Sequence, residues 1–436
     1  MNARHSNTAH SRRGPPRLCS AMVIKSLTLA SNRLNSEDEQ IRAKPSEGYF
    51  SRPAVRIIAS WSRIQESLLM RIMEKTRVGV LGATGMVGQM YVRLLEDHPW
   101  FEVSYVAASP SSAGKRYSEA VEGRWHFGTE IPTNTRDLTV EDANDVQKAL
   151  GRCAFVFSAL EMDKAAIRAL ENRYAENDIP VVSNASAHRW TEDVPMLIPE
   201  INHHHVEIIP TQKKNHGWKK GFVVVKPNCS LQSYLTPIHA LEKAGFKVRR
   251  LIVTMLQAVS GAGYPGVDML DIDDNVLPFI SGEEEKSEKE PLKILGNIEN
   301  NRFVNNDSIT ISAHCNRVPV LDGHTACVSV EFGERKPSKE EIVKIWREFR
   351  SLPQELKLPS APEQPIMYRE EENRPQPRID RDNDKGMEVT IGRLRRCNVL
   401  DFRFVGLSHN TIRGAAGGGI LNAELLKAKG FLDSTS

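Results

Sequence analysis

Several features common in other protein classes are missing from this chain. The 436 residues include six cysteines, at positions 19, 153, 229, 315, 327 and 397, with no C-x-x-C pair. Scattered cysteines without a disulfide framework predict a protein of a reducing compartment. No apolar run approaches the length of a membrane helix, so no membrane association is expected. The 58 basic and 55 acidic residues nearly cancel, which gives no reason to expect a nucleic-acid partner.

Acidic residues are absent from the first 36 positions, which contain six Arg or Lys residues and several Ser and Asn. That composition fits an organellar presequence. A disordered tail, or an unused upstream start with Met70 or Met73 as the first residue, are the alternatives. We therefore predict that residues 1–75 are an extension outside the fold. The predicted location is the cytoplasm, with organellar import as the alternative.

Apolar runs of strand length alternate with helical patterns from residue 76 to residue 228. The predicted strands are VGVL, FEVSYVAAS, CAFVFSAL, IPVVSNAS and FVVVKPN. This alternation predicts right-handed βαβ units and a parallel sheet, the arrangement of a Rossmann-type domain. After residue 229 the runs alternate in polarity and carry turn signals, which indicates an α+β domain with an antiparallel or mixed sheet. The predicted class is therefore α/β with a second α+β domain.

A glycine turn, LGATGMVGQ, lies between the first strand and the first helix and contains Gly82, Gly85 and Gly88. Glycines there let a dinucleotide pyrophosphate approach the main chain and the helix N-terminus. NAD-binding proteins usually place an acid after the second strand, but no carboxylate occurs between Val103 and Tyr117. Ser109 and Ser112 there suit a 2′-phosphate, which favours NADP as the cofactor.

Cys229, in VKPNCSLQS, is the candidate nucleophile, although a lone cysteine after a turn is more often structural. We expect it at the carboxyl end of a parallel strand and at the start of a helix, where its pKa would be lowered. If RVPVLDGHTACVSVEF forms a hairpin, Arg317 and His324 meet at one end of it, whereas Cys327 faces the other side. Gln257 precedes a second glycine turn. A thiol beside a dinucleotide suggests aldehyde oxidation through a thioester, or the reverse.

The chain resembles the aspartate-semialdehyde dehydrogenase family, in particular its archaeal and fungal branch. The resemblance rests on GVLGATGMVGQ, SNASAHR, PNCS, LQAVSGAGYPG, SGEEEK, RVPVLDGHTACVSVEF, GRLRRC and LSHNTIRGAAGGG, which occur in this order over roughly residues 76–430. It implies interconversion of L-aspartate 4-semialdehyde, phosphate and NADP with 4-phospho-L-aspartate and NADPH. That reaction lies on the route to lysine, threonine, methionine and isoleucine.

The resemblance also implies a role for individual residues. Cys229 would form the thioester, His324 would act as the acid and base, and Gln257 would orient the substrate. Arg317 would bind the substrate carboxylate. Glu284, with Glu283 and Glu285 as alternatives, would bind its amino group. The implied phosphate contacts are Lys286, Arg189 and Asn228. The implied cofactor contacts are Gly82, Thr84, Gly85, Met86, Val87, Ser109, Ser112, Gly263 and Asn410.

The same resemblance divides the chain into an NADP-binding domain, 76–228, completed by 406–436, and a catalytic and dimerisation domain, 229–405. It implies a homodimer or homotetramer. The main alternative is a malonyl-CoA reductase of the same fold branch; N-acetylglutamyl-phosphate reductase is a more distant one. A regulatory relative should lack the nucleophile or the base, and Cys229 and His324 are both present. We expect no metal, because three adjacent histidines (203–205) lack ligand spacing on one face.

Overall fold

The computed structural model describes residues 75–432. The predicted extension, residues 1–75, lies outside the described residues except for its last position. Within 75–432, every helix is too short or too polar to cross a membrane.

A six-stranded, wholly parallel sheet forms the first half of the fold, in the order β3-β2-β1-β4-β5-β6. Its strands are β1 (Thr76–Leu81), β2 (Phe101–Ala108), β3 (Val140–Asp142), β4 (Phe155–Ser158), β5 (Val181–Ser183) and β6 (Val223–Val225). The central strands are buried along almost their whole length, as expected for a parallel sheet covered on both faces. The predicted Rossmann-type sheet is confirmed.

Helices connect these strands and cover both faces of the sheet. They are α1 (Met86–Leu94), α2 (Tyr117–Ala120), α3 (Thr133–Arg136), α4 (Lys164–Glu176), α5 (Pro199–Asn202) and α6 (Ile209–His216), with 3₁₀ turns at Val146–Ala149 and His203–Ile208. In α1 the apolar residues recur at helical spacing, and Met90, Tyr91 and Val92 are buried in the core.

A mixed six-stranded sheet forms the second half, in the order β10-β7-β11-β14-β13-β12. Its strands are β7 (Val248–Gln257), β10 (Thr310–Arg317), β11 (His324–Phe332), β12 (Ile366–Tyr368), β13 (Val389–Arg396) and β14 (Phe402–Ser408); β8 (Asn297–Glu299) and β9 (Arg302–Val304) form a separate pair. The mixed sheet is confirmed, but the hairpin between β10 and β11 is wrong. Strand β7 lies between them, parallel to β10 and antiparallel to β11.

The second half contains α7 (Leu235–Lys243), α8 (Met269–Ile272), α9 (Glu283–Ile294), α10 (Lys339–Glu348), α11 (Leu352–Glu355) and α12 (Pro377–Asp380), with 3₁₀ turns at Ser230–Ser233, Val259–Ala262 and Asn383–Gly386. Residues of α7, α9 and α10 share one hydrophobic core with the buried residues of β7. Burial alternates along β7, so Leu251 and Val253 face this core while Ile252 points to the opposite, open face.

The C-terminal segment returns to the first sheet. A π-helical turn, Ile412–Ala416, leads into α13 (Gly417–Ala428), whose Ile420 and Leu425 pack in the same core as Val78 of β1. A Cβ at Gly419 would lie 1.9 Å from the Tyr91 hydroxyl, so glycine permits close contact between α13 and α1. This packing agrees with a discontinuous first domain, although the boundaries at 228 and 406 stay predictions.

Candidate active site

Cys229 lies immediately beyond the carboxyl end of the parallel sheet. Strand β6 ends at Val225, the chain turns through Pro227, and Cys229 precedes the 3₁₀ turn Ser230–Ser233. Ligands of open α/β sheets bind at this edge. Cys229 is the N-cap of this 3₁₀ turn, and the α-helix begins only at Leu235, so the helix that starts at the thiol is a 3₁₀ turn and not an α-helix.

Cys229 faces His324. The Sγ of Cys229 lies 3.3 Å from Nε2 of His324, which is the first residue of β11 and is fully buried. Cys327, on the opposite face of the same strand, is exposed, as its position in the strand predicts. The structure therefore brings together the thiol and imidazole that the sequence analysis paired.

Burial favours the uncharged form of both groups of this pair. Burial, and then the positive charge of Arg317, lower the pKa of His324 to about 3. Burial and the Glu283 carboxylate raise the pKa of the Cys229 thiol above its usual value, although Lys226, Arg189 and Lys286 act in the opposite direction. The expectation of a lowered thiol pKa is wrong, because burial outweighs the nearby cations.

Arg317 and His324 do lie close together, although their strands do not form a hairpin and are separated by β7. A Cβ at Gly261 would lie 2.8 Å from Nη1 of Arg317 and 3.0 Å from Cε1 of His324. Arg317 is buried and donates a hydrogen bond to the carbonyl of Ala258 at 2.8 Å, while its Nε has no partner among the described residues. An unpaired buried donor is costly, so this guanidinium is suited to a ligand carboxylate.

Glu283, the first residue of α9, is a buried carboxylate in contact with Asn228, the residue before Cys229. It accepts hydrogen bonds from Nδ2 of Asn228 (3.0 and 3.1 Å), Nε2 of Gln257 (3.0 Å) and Nζ of Lys286 (2.7 Å). Although burial favours the neutral form, Lys286 and the amide donors hold the pKa of Glu283 below its usual value. Glu284 instead accepts from the main-chain N–H of Cys315 at 3.2 Å. Of the three candidate glutamates, Glu283 is thus the one that contacts Asn228 and Gln257, and the binding of the substrate amino group by a glutamate stays a prediction.

Arg189 and Glu290 form a buried ion pair that holds the turn before Cys229. Nη1 of Arg189 lies 2.9 Å from Oε1 of Glu290, and its Nε donates to the carbonyl of Lys226 at 3.1 Å. The other Glu290 oxygen accepts from the N–H of Asn228 at 2.7 Å. Arg189 thus fixes the main chain on both sides of Pro227, and its Nη2 has only a 3.4 Å contact with the carbonyl of Asn184.

Glu290 and Lys226 were missed by sequence reasoning. Glu290 lies seven residues after Glu283 on the same face of α9, and this spacing was the signal that could have identified it. Lys226 is buried and donates to the carbonyl of Pro227 at 2.7 Å; burial lowers its pKa to about 7. A buried cation so close to a thiol favours the thiolate.

Two connected cavities adjoin these groups. The thiol cavity, of about 240 Å³, is lined by Cys229 and also by the predicted residues Met86, Val87, Arg189, Asn228, Gly263 and Asn410. The turn cavity, of about 430 Å³, is lined by Thr84, Gly85 and Met86 of the glycine turn. Met86, Glu161, Ser260 and Thr411 line both cavities. A long ligand that binds the glycine turn can therefore extend to the nucleophile.

The glycine turn fits a pyrophosphate. Helix α1 has Gly85 at its N-cap, and no side chain caps its first turn, which leaves main-chain N–H groups for an anion. Gly82 has a φ of +72°, and a Cβ there would lie 2.4 Å from the carbonyl oxygen of Ala159. Gly82 therefore allows the turn itself, whereas Gly85 leaves room beside the helix N-terminus.

Gly88 provides a test of the close packing between helix α1 and the glycine turn. A Cβ there would lie 2.1 Å from the carbonyl oxygen of Gly82, which is main chain and cannot rotate away. We expect Gly88→Ala to lower the free energy of unfolding by about 3 kcal/mol, measured by urea denaturation. Gly128→Ala, where no atom lies within 4 Å of the added Cβ, is the matched control. Equal stability of the two variants would contradict this packing.

Ser109 and Ser112 follow β2 at the same sheet edge. The exposed Ser109 hydroxyl lies 2.9 Å from that of Ser111, whereas Ser112 is buried. Lys115 and Arg116 are exposed beside them. Neither Ser109 nor Ser112 lines the thiol cavity or the turn cavity as the described residues form them. Their contact with a 2′-phosphate stays a prediction.

The histidine run does not form a metal centre. His205 is buried, with Nδ1 3.0 Å from Nδ2 of Asn202 and Nε2 3.0 Å from the carbonyl of Gly296. Between residues 75 and 432, no group of three or more His, Cys, Asp or Glu side chains is arranged to hold a metal ion.

The sequence of this chain also matches known protein families and individual relatives. The family models for the semialdehyde dehydrogenase NAD binding domain and dimerisation domain match residues 77–209 and 235–413. An aspartate-semialdehyde dehydrogenase of Archaeoglobus fulgidus is 48% identical over 351 residues, which cover 80% of this chain and 97% of the relative. One from Aspergillus fumigatus is 44% identical over 364 residues, 82% of this chain and 99% of the relative.

A solved structure is similar over the same region. The crystal structure of aspartate semialdehyde dehydrogenase with NADP from Candida albicans has a TM-score of 0.74 and 41% sequence identity. The match covers 82% of this chain and 100% of that chain.

Proposed function

Because this chain belongs to the aspartate-semialdehyde dehydrogenase family, we propose that it interconverts L-aspartate 4-semialdehyde, phosphate and NADP with 4-phospho-L-aspartate and NADPH. The biosynthetic direction is the reduction, on the aspartate pathway of amino-acid synthesis. The observation that carries the proposal is the Cys229–His324 pair, 3.3 Å apart, beside a buried arginine with an unpaired donor. All the relatives described above are aspartate-semialdehyde dehydrogenases, which favours this activity over malonyl-CoA reduction.

The proposed chemistry is acyl transfer through Cys229. In the reductive direction its sulfur forms a bond to the substrate carbonyl carbon, and the bond from that carbon to the phosphate oxygen breaks. The electron pair leaves with phosphate, the thiol proton passes by way of His324 to the departing phosphate, and a thioester remains on the enzyme. His324 lies within hydrogen-bond reach of the sulfur and is the candidate proton donor to the reacting groups.

The α-carbon of the substrate carries a carboxylate and an ammonium group, and the residues proposed to bind these two groups have the complementary charges. Arg317 would bind the α-carboxylate with its fork of N–H donors. Glu283, held ionised by Lys286 and Gln257, would bind the ammonium group. Lys286 and Arg189 are the proposed phosphate contacts. Asn228 and Gln257 then act through Glu283, since their amides donate to its carboxylate.

NADP would lie along the two cavities. The glycine turn and the start of α1 would hold the pyrophosphate, through Thr84, Gly85, Met86 and Val87. Ser109 and Ser112 would face the 2′-phosphate, and Gly263 and Asn410 would border the nicotinamide end. When bound, the dinucleotide supplies or accepts the hydride. The absence of a carboxylate after β2 supports NADP over NAD.

A steady-state assay tests this function. With aspartate semialdehyde and NADP, the purified protein should form NADPH only when phosphate is present. With NAD, kcat/KM should be clearly lower. Efficient reduction of malonyl-CoA with no turnover of the semialdehyde would contradict the proposal, and equal efficiency with NAD would contradict the cofactor assignment.

We propose that the open face of the mixed sheet pairs with the same face of a second copy. The chain matches a dimerisation-domain model over 235–413, and Ile252 of β7 is 43% exposed on this face. Ile252→Asp should raise the dimer dissociation constant at least about 100-fold, because a carboxylate would be buried without a partner. Light scattering after gel filtration would detect the monomer. Leu150→Asp, also at 43% exposure but in the first half, is the control. An unchanged mass for Ile252→Asp would exclude this interface.

We further propose that the enzyme works in the cytoplasm. Sequencing the N-terminus of the native protein tests this, because removal of a basic leader would instead indicate import into an organelle.

A further inference from the structure

A π-helical turn forms one wall of the thiol cavity. It spans Ile412–Ala416, and its hydrogen bonds run to carbonyls five residues earlier, as from the N–H of Gly414 to the carbonyl of His409 at 2.9 Å. Such turns are rare and often occur at functional sites. Four residues in the turn or just before it line the cavity: Asn410, Thr411, Gly414 and Ala415. The turn therefore shapes the space beside the nucleophile.

The π-helical turn packs directly against the nucleophile. A Cβ at Gly414 would lie 2.8 Å from Cβ of Cys229, so the glycine permits this close approach. Just before the turn, Nδ2 of Asn410 donates to Oγ of Ser260 at 2.8 Å, and its Oδ1 accepts from the N–H of Gly323 at 2.8 Å. The position of the turn thus affects both the thiol and the end of the cavity proposed for the nicotinamide.

Arg413 holds the turn from the protein interior. Its side chain is buried, and it does not line the thiol cavity as the described residues form it. Nη1 donates to Oε1 of Glu200 in α5 at 2.9 Å and to the carbonyl of Met387, two residues before β13, at 2.6 Å. Nη2 donates to Oγ1 of Thr236 in α7 at 3.2 Å. One guanidinium therefore ties the turn to three separate segments.

These contacts join the turn to both halves of the fold. Glu200 belongs to the first half, whereas Thr236 and Met387 belong to the second. The side chains of the Arg413–Glu200 ion pair are 2% and 1% exposed, so salt in the solvent screens this pair very little. Removing one partner of such a buried pair is strongly destabilising, which holds the guanidinium at the place where its three partners meet.

From this geometry, and resting on the proposed function, we infer that Arg413 is a positioning residue for the nicotinamide end of the bound cofactor. It acts through the main chain of the π-helical turn, which holds Asn410 and Gly414 at the cavity. The proposed substrate contacts, Arg317 and Glu283, lie on other elements, β10 and α9. Arg413 should therefore affect cofactor binding and leave substrate binding nearly unchanged.

Replacing Arg413 by lysine tests this role. Lysine keeps the positive charge beside Glu200, but its compact ammonium group cannot span the three partners that the planar guanidinium joins. We expect the Kd for NADP, measured by fluorescence titration, and the KM for NADP to rise about tenfold. The KM for aspartate semialdehyde should stay within about twofold of the wild type. A merely structural defect would instead lower the amount of active enzyme, and with it the apparent kcat, without changing Kd or KM.

Thr236→Val is a milder second variant, because it removes only the acceptor of Nη2. Its Kd for NADP should rise about threefold, since the two contacts of Nη1 stay in place. Arg152→Lys is the matched control. Arg152 forms an ion pair with Glu141 at 2.6 Å, and neither residue lines the thiol cavity or the turn cavity as the described residues form them. The Kd and KM of this control should equal those of the wild type.

The same change can be followed at the thiol without turnover. Bound NADP should protect Cys229 from alkylation by iodoacetamide, measured by mass spectrometry of its peptide, and half-protection of Arg413→Lys should need about tenfold more NADP. An unchanged Kd for NADP in both variants, or an equal rise of both KM values, would overturn the inference. If Arg413→Lys does not fold, the Kd of Thr236→Val alone decides. A wild-type protein that binds NADP but does not turn over the semialdehyde would contradict the proposed function and leave the role of Arg413 in cofactor binding intact.

Discussion

Replacing Cys229 by serine should lower kcat for phosphate-dependent NADPH formation by at least about 10⁴-fold. The serine hydroxyl would occupy nearly the position of the thiol, whose sulfur lies 3.3 Å from Nε2 of the buried His324. A serine hydroxyl ionises far less readily than a thiol, so an alkoxide nucleophile is far less accessible than a thiolate. Activity should therefore be lost while the fold is kept.

The matched control for this variant is Cys153→Ser. Cys153 is part-buried beside β4, and it lies outside the lining of the thiol cavity. Its kcat should stay near that of the wild type, and both variants should unfold at similar urea concentrations. Near-normal turnover by Cys229→Ser would exclude the covalent mechanism.

Replacing Arg317 by lysine should lower kcat/KM for aspartate semialdehyde about 100-fold, equivalent to about 3 kcal/mol of transition-state binding. Lysine keeps the charge but has a single donor group, so it cannot hold a carboxylate with two parallel hydrogen bonds. It would also lose the 2.8 Å hydrogen bond to the Ala258 carbonyl, through which Arg317 is oriented. The KM for the semialdehyde should rise, whereas the Kd for NADP, measured by fluorescence titration, should change little.

The corresponding surface replacement, Arg302→Lys on β9, should leave both constants unchanged, since Arg302 is exposed and lies outside the mixed sheet. A kcat/KM for Arg317→Lys within twofold of the wild type would rule out the bidentate contact with the substrate.

The first sheet was predictable because each of its strands contains an apolar run that can be recognised in the sequence. A run such as the one ending at Val225 is apolar throughout, and only a strand buried on both faces tolerates that pattern. The second sheet was harder, because neighbours in sequence are not always neighbours in a sheet. The turn at Asp322 and Gly323 suggested a hairpin, but β7, from more than fifty residues earlier, lies between the two strands.

The residue types of the candidate site could be predicted from the sequence. Which of the neighbouring side chains faces the thiol could not. Three consecutive glutamates project about 100° apart around a helix, so the phase of α9 decides which one faces the thiol. That phase is set where the helix begins, after Gly282 with its φ of +69°, and no local pattern specified it. Glu290, on the same face two turns later, indicates Glu283 only once its ion pair with Arg189 is known.

The pKa of Cys229 depended on burial, which one sequence does not give. The position after a strand suggested a helix N-terminus and a lowered pKa. The chain instead forms a short 3₁₀ turn in a buried setting beside Glu283, and the thiol pKa is raised. The contact between Ala258 and Arg317 was equally hidden, because it is made by a main-chain carbonyl that any residue type supplies.

A reaction without phosphate tests the central claim, the thioester on Cys229, most directly. When the enzyme is mixed with aspartate semialdehyde and NADP alone, we expect a single rapid turnover of NADPH formation, equal to the concentration of sites. The peptide containing Cys229 should then carry the acyl group, detected by mass spectrometry, and added phosphate should release it and restart turnover. Continuous NADPH formation without phosphate, or a burst without an adduct on Cys229, would contradict the account.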